Sequence, residues 1–151
     1  MKWAGIMLLS TLAAVAAPDI RSFQPDLIVP ALSTGKPAAG VRVKQTHPAW
    51  AKTSAYHTLY LPKDWRPGKS YPVLIEFAGN GPYKNRFGDV STGKPEGSKM
   101  GFGISGGTGF IWVCIPYLNN AGNKNVTQWW GDMPKYNPQP TLEYCKKVVP
   151  W

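Results

Sequence analysis

The chain has 151 residues, which is enough for one domain with a substantial core. Its formal net charge is +9, from 17 basic and 8 acidic residues. The basic residues are spread along the chain, and this pattern predicts a solvated basic surface rather than a nucleic-acid interface. The histidines, cysteines and acidic residues form no cluster with the spacing of metal ligands, so we expect neither a metal nor another cofactor.

Residues 1–16 have the pattern of a secretory signal peptide. Lys2 gives a positive start, residues 3–15 form an apolar run, and residues 14–16 match the small-x-small cleavage pattern. The alternative is an uncleaved anchor or a core helix, but the run is shorter than the about 20 residues of a membrane span. We therefore expect cleavage, a secreted or periplasmic protein, and no stable membrane span in the mature chain.

Three strands are predicted after the signal. Residues 17–40 are rich in Pro, Ala and Ser, and they predict an irregular lead-in to a domain at 41–151. Residues 41–46 and 56–61 alternate apolar and polar side chains, which is typical of half-exposed strands. The apolar run at 73–77 predicts a strand covered on both faces, as in a parallel sheet.

The second half of the chain alternates between loops and regular elements. Residues 79–109 are rich in Gly, Pro, Asn and Lys, which predicts a long functional loop. A second buried strand is expected at 110–116, a further loop at 119–140 and a helix at 141–149. This order predicts an α/β fold with an incomplete mixed sheet, built from N-terminal strands and one crossover helix.

The predicted helix has a polar first turn and one apolar face. Thr141 is expected to cap it, and Glu143 suits the positive end of the helix dipole. Its buried face is expected to consist of apolar side chains at helical spacing: Leu142, Cys145, Val148 and Val149.

Two cysteines leave two alternatives open. A disulfide between Cys114 and Cys145 would suit an oxidising compartment and would close a loop of about 30 residues. The alternative is two buried free thiols. Cys114 lies in an apolar strand and Cys145 on the apolar side of a helix, which are positions where a free cysteine packs as a small apolar residue.

A glycine-rich turn follows the strand at 73–77. Its backbone N–H groups make Gly79, Asn80 and Gly81 candidates for an oxyanion hole, and Asn80 also offers a side-chain donor. The alternative is an ordinary turn in which glycine only permits positive φ.

Residues 103–107 match the G-x-S-x-G pattern of a nucleophile elbow. That elbow requires a strand before the serine and a helix after it, whereas Ser105 follows no strand and is followed by one. We therefore do not expect Ser105 to be a nucleophile. His47 and His57 have no serine or carboxylate pattern nearby and are expected to be structural or surface residues.

Trp129 and Trp130 lie in a loop rich in Gly and Asn and are candidates for substrate binding. Their rings are suited to stacking on a sugar or an aromatic acyl group. The alternative is that they pack over the edge of the sheet.

From residue 56 to residue 151 the chain resembles secreted bacterial α/β-hydrolases related to poly(3-hydroxybutyrate) depolymerases and to carbohydrate esterases of the feruloyl and acetyl-xylan type. Five segments carry the resemblance: 56–62, 72–82, 101–105, 110–116 and 128–132. Ala78-Gly79 stands where such proteins usually have His-Gly.

The resemblance implies an unfinished active site. In such proteins a helix like that at 141–149 leads into a strand and then to the nucleophile serine, with the acid and the histidine later still. The expected identity is the N-terminal fragment of a secreted serine esterase that acts on carboxylic esters of a carbohydrate or hydroxyacid polymer. It carries no catalytic triad and is expected to be inactive as it stands. The alternative is a secreted polysaccharide-binding module that uses exposed tryptophans.

Overall fold

A computed structural model of the protein describes residues 17–19, 22–24, 26–86, 88, 90–128 and 135–151. The signal-peptide prediction for 1–16 lies outside the described residues. In chain order the described elements are β1 (Leu32–Ser33), β2 (Arg42–Gln45), β3 (His57–Tyr60), β4 (Val73–Phe77), β5 (Tyr83–Lys84), β6 (Val90–Ser91), α1 (Met100–Ser105), β7 (Ile111–Ile115), β8 (Tyr117–Leu118), β9 (Asn125–Val126) and α2 (Gln139–Val148).

The main sheet is mixed, which confirms the α/β class expected from the sequence. In the described part of the chain it has five strands in the order β1–β2–β3–β7–β4. β1 pairs with β2 in parallel, whereas β3 is antiparallel to both of its neighbours, β2 and β7. β4 pairs with β7 in parallel, so the segment between them is a crossover connection. β5 pairs with β6 and β8 pairs with β9 in two small antiparallel sheets.

Each face of the main sheet packs against a different helix. On one face, Tyr60 and Trp112 pack with Phe102 of α1, and we call this the α1 face. On the other face, Val113 and Ile115 pack with Tyr144 of α2, and we call this the α2 face. Side chains alternate between these faces along each strand.

The strands predicted at 41–46 and 56–61 form as β2 and β3, and Lys44 of β2 is exposed, but β3 and the first half of β2 are more deeply buried than the half-exposed strands expected. Arg42, His57 and Thr58 are all buried, with at most 4% of their surface exposed. Covering layers on both faces enclose these central strands, so their polar residues enter the core and find partners there.

The strand predicted at 73–77 also forms, as β4, but its expected burial is wrong. Val73, Ile75 and Phe77 on the α2 face are 39%, 45% and 39% exposed. The one buried residue of the strand is its single charged residue, Glu76. β4 lies at the end of the strand order, and within the described residues no strand pairs with its outer edge.

The segment at 79–109 contains more regular structure than the loop predicted there. It forms β5, β6, one turn of 3₁₀ helix at Pro95–Gly97 and the short helix α1. These elements are two to six residues long, too short for a sequence period to reveal. The lead-in at 17–40 likewise contributes β1 to the sheet.

The C-terminal helix is present, but its predicted cap is wrong and its predicted buried face is only partly correct: Val148 is buried and Cys145 packs against the core. α2 begins at Gln139, two residues before the predicted start. Pro140 does not prevent this, because proline is tolerated in the first turn of a helix. Thr141 lies inside the helix, where its Oγ1 accepts a hydrogen bond of 2.9 Å from the Leu118 N–H. Thr141, Tyr144 and Val148 form the buried face, whereas Leu142 is 42% exposed.

Across the residues that the structure describes, no helix is both long enough and apolar enough to span a membrane.

Candidate functional site

The glycine-rich turn lies at the carboxyl end of β4, where the sequence placed it. The Gly81 N–H donates a hydrogen bond of 2.8 Å to the Thr127 carbonyl, and this bond removes it from the oxyanion donors proposed from sequence. Gly81 is also tightly packed, since an added Cβ would lie 2.5 Å from the Gly93 nitrogen. Gly79 and Asn80 are exposed, so this end of the strand is open to a ligand.

A buried carboxylate lies below this turn, and the sequence analysis did not single it out. Glu76 is 8% exposed, and its Oε2 accepts hydrogen bonds of 2.9 Å from the Gly101 N–H and from Nε1 of Trp112. These bonds attach β4 to the first turn of α1 and to β7. The sequence signal that was available is a lone charge inside an otherwise apolar strand.

Arg42 holds the loop at 95–98 against the sheet. Its guanidinium lies 4.6 Å from the ring centre of Trp112 and donates to the Pro95, Glu96 and Ser98 carbonyls at 2.7, 3.2 and 3.1 Å. Burial lowers the pKa of Arg42 from its usual value, an effect opposed by Cys114, Glu76 and Glu96. A planar donor group bonded to several carbonyls fixes the loop rigidly.

The two cysteines are free thiols in the structure. Cys114 is buried on the α1 face, and its Sγ donates to Ser98 Oγ at 3.1 Å. Burial raises the pKa of Cys114 to about 12, so this thiol stays protonated at neutral pH and is a poor nucleophile. Burial also raises the pKa of Cys145.

Two cavities lie near the turn, and we call the pair the loop groove; Gly79 lines the inner one. The inner cavity, of about 200 Å³, is lined by Glu76, Gly79, Ser98 and Lys99 among others. The outer cavity, of about 700 Å³, is lined by Tyr83, Lys84 and Glu96 among others. Both cavities share the same four lining residues: Val90, Ser91, Thr92 and Lys94.

Ser105 lies at the C-terminal end of α1, not at the N-terminal end of a helix. Its Oγ accepts a hydrogen bond from the Gly107 N–H at 3.1 Å and donates to the Phe102 carbonyl at 3.4 Å. Gly106 closes the helix in the left-handed conformation. A helix C-terminus presents carbonyl groups, which do not stabilise a developing negative charge.

The two histidines lie near each other, away from the loop groove. His57 is buried on the α2 face, where its Nδ1 lies 3.0 Å from the Tyr144 hydroxyl. Burial and, to a lesser extent, nearby His47 lower the pKa of His57 to about 4. His47 Nδ1 accepts a hydrogen bond from the Ala49 N–H at 3.2 Å. These bonds give both rings structural roles.

Trp129 and Trp130 lie outside the described residues. Among the residues that are described, no group of three or more His, Cys, Asp or Glu side chains has an arrangement that would hold a metal ion.

No model of a known family matches the sequence, and searches of curated proteins and of solved structures found no similar protein.

Proposed function

We propose that this chain is the N-terminal part of a secreted serine esterase of the α/β-hydrolase fold, which acts on carboxylic esters of a carbohydrate or hydroxyacid polymer. One observation carries the proposal. The exposed turn at Gly79 and Asn80 follows a parallel strand at its carboxyl end and opens onto a groove. Ligands of open α/β sheets bind outside the carboxyl ends of the strands.

The strand order supports the proposed fold. β2, β7 and β4 run in one direction and β3 in the other. The order β2–β3–β7–β4, with only the second strand reversed, is also the order in which an α/β-hydrolase sheet begins.

The outer edge of β4, to which no described strand pairs, supports the proposal because a further strand could pair there. Both edges of β7 are occupied, by β3 and by β4. In this proposal a parallel strand that follows α2 pairs with the outer edge of β4 rather than with the two-residue β1 at the other end of the sheet, so its crossover runs opposite to the β4-to-β7 connection. The carboxyl ends of β4 and β7 would then form a topological switch point, with Gly79 and Asn80 beside it.

In this proposal the backbone N–H groups of Gly79 and Asn80 stabilise the oxyanion of the tetrahedral intermediate. The nucleophile would stand at the carboxyl end of the strand added beside β4, which brings it next to this turn. Because Ser105, His47 and His57 are all engaged elsewhere, the chain is expected to be inactive as it stands.

Hydrolysis of p-nitrophenyl acetate tests the inactivity of the chain. We expect the purified protein and its Ser105→Ala variant to show the same background rate. A rate that is clearly higher for the unaltered chain than for the variant would contradict both the fragment assignment and the structural role of Ser105.

The coding DNA beyond the Trp151 codon tests the proposed identity. We expect it to encode an apolar strand with G-x-S-x-G within a few tens of residues, followed by Asp and His. DNA without these features in any reading frame would remove the support for a serine esterase. Secretion has its own test, because the mature protein should begin at or near Ala17.

A further inference from the structure

We infer that Asn80 is a site of spontaneous deamidation, and that the folded chain suppresses the reaction through the backbone contacts of Gly81. Asn80-Gly81 is the one Asn-Gly pair in the sequence, and it lies in the turn that follows β4. Asparagine is a thermolabile residue, and a following glycine has no side chain to block attack by its backbone nitrogen. The pair is therefore the position in this chain that is chemically most prone to this modification.

The reaction needs only the chain and water. The Gly81 backbone nitrogen attacks Cγ of Asn80 and gives up its proton, a new C–N bond forms, and the side-chain amide leaves as ammonia with that proton. Water then opens the resulting succinimide ring at either of its carbonyl groups. The product is aspartate or, where the main chain now runs through the side chain, isoaspartate. Either product replaces a neutral amide with a carboxylate.

The attacking nitrogen is held in a hydrogen bond in the folded protein. The Gly81 N–H donates to the Thr127 carbonyl at 2.8 Å. Gly81 is buried, although its neighbour Asn80 is exposed to the water that the second step consumes. The nitrogen must give up this bond and its proton before it can attack, so the hydrogen bond opposes deamidation.

Close backbone packing keeps that hydrogen bond in place. An added Cβ on Gly81 would lie 2.5 Å from the Gly93 nitrogen, and one on Gly93 would overlap the Thr127 carbonyl oxygen. Three backbone segments therefore meet at Gly81, Gly93 and Thr127, which we call the glycine junction. Gly93 also has a φ of +71°, which glycine adopts without strain. Because ring closure changes the backbone at Gly81, the junction has to open before Asn80 reacts.

Deamidation would place a negative charge at the candidate oxyanion hole. The new carboxylate would stand beside the N–H groups of Gly79 and Asn80, where it opposes the negative charge of a tetrahedral intermediate. This consequence rests on the proposed function, whereas the reaction itself does not. The glycine junction would then preserve the site by keeping Asn80 an amide.

Peptide mass spectrometry after incubation at mildly alkaline pH measures the deamidated fraction of Asn80. We expect the folded protein to deamidate at least about tenfold more slowly than the protein in guanidinium chloride, because the junction is closed in most folded molecules. Gly93→Ala should speed deamidation of the folded protein at least about threefold, since the added Cβ displaces the Thr127 carbonyl from the Gly81 N–H.

Gly68→Ala is the matched control for this substitution. Gly68 also has a positive φ, of +79°, but a Cβ added there meets nothing within 4 Å. Both variants therefore strain a glycine backbone, and only Gly93→Ala also disturbs the glycine junction. Faster deamidation in folded Gly93→Ala than in folded Gly68→Ala supports the inference, and equal rates in the two overturn it.

If Gly93→Ala fails to fold, as seen by near-ultraviolet circular dichroism, the unaltered protein still tests the inference. Below the unfolding transition, added guanidinium chloride should speed hydrogen exchange of the Gly81 N–H and deamidation of Asn80 together. Two results would overturn the inference: equal deamidation in the folded and unfolded protein, or faster deamidation while the Gly81 N–H stays protected. Neither depends on the DNA downstream, so this inference and the esterase proposal can fail separately.

Discussion

At the scale of single residues, Glu76 connects three elements through one buried oxygen. Replacing it with alanine leaves the Gly101 N–H and Nε1 of Trp112 without their acceptor. We expect Glu76→Ala to lower the free energy of unfolding by about 3 kcal/mol or more, because both lost bonds are charge-assisted and the donors stay buried. Urea unfolding of the protein measures this change.

The control for this substitution is Glu143→Ala, which removes an exposed carboxylate from α2. It should change the free energy of unfolding by less than about 0.5 kcal/mol. Equal effects of the two substitutions would show that the Glu76 bonds add nothing to stability.

The buried imidazole of His57 predicts a loss of stability in mild acid. Its pKa is about 4 in the folded protein and 6.5 in the reference state, so between these values the unfolded chain binds the extra proton. Stability therefore falls as the pH drops from about 6.5 towards 4, by up to about 3 kcal/mol. Above this window the imidazole is neutral in both states and contributes no pH dependence.

Urea unfolding at several pH values between about 7.5 and 4.5 measures this loss, and His57→Gln is the comparison. The glutamine variant does not titrate at this position, so its curve should be flatter in the same window. Parallel curves for the two proteins would mean that other groups cause the acid sensitivity.

Alkylation tests, also at the scale of residues, whether Cys114 is buried and whether both cysteines are free thiols. Because Cys114 is buried and its pKa is raised to about 12, it should react with iodoacetamide far more slowly than a free cysteine near pH 8. In denaturant without reductant, both Cys114 and Cys145 should be alkylated, since both are free thiols. A mass spectrum without adducts after denaturation would show a disulfide instead.

At the scale of secondary structure, the orientation of α2 can be tested by replacing one side chain on its buried face and one on its exposed face with alanine. Val148 is 5% exposed and packs with Tyr144 in the core, whereas Leu142 is 42% exposed. We expect Val148→Ala to cost about 1–3 kcal/mol and Leu142→Ala clearly less, although leucine loses more atoms. Thermal or urea unfolding compares them. A larger cost at Leu142 than at Val148 would show that Leu142 lies on the buried face, as the sequence predicted.

Local periodicity predicted where the main strands lie but not how deeply they are buried. β2, β3, β4 and β7 all fall inside predicted strands, because a run of strand-forming residues is a local signal. The partners that bury Arg42 lie 53 to 56 residues later in the chain, where no sequence period reaches them.

The candidate site was predicted only in part for the same reason. The turn at Gly79 and Asn80 was found because it directly follows a recognisable strand. The Gly81 N–H donates to the Thr127 carbonyl, and the Glu76 carboxylate accepts hydrogen bonds from Gly101 and Trp112. All three are tertiary contacts, so this part of the site became visible only in the folded chain.

At the scale of the whole molecule, the sheet is unevenly covered. Its centre is buried on both faces, whereas β4 presents Val73, Ile75 and Phe77 to solvent along an edge that pairs with no other described strand. An apolar edge without a blocking charge on this face is a site of self-association. We expect the protein to associate as its concentration rises, as measured by sedimentation velocity.

Ile75→Lys should suppress this association, because a lysine on an edge strand opposes pairing with another chain. Ile104→Lys is the matched control: Ile104 is 63% exposed on α1 and receives the same change in charge and size. Equal suppression by both variants would mean that added charge, and not the β4 edge, controls association.

The same substitution distinguishes a finished sheet from an unfinished one. If a further strand pairs with β4 and its connecting helix covers Ile75, a lysine there becomes a buried charge without a partner. In a protein extended by such a strand, Ile75→Lys should therefore lower the free energy of unfolding by several kcal/mol, whereas in the present chain it costs little. A lysine tolerated equally in both would show that β4 is a true outer edge, and no nucleophile-bearing strand would then lie beside Gly79 and Asn80.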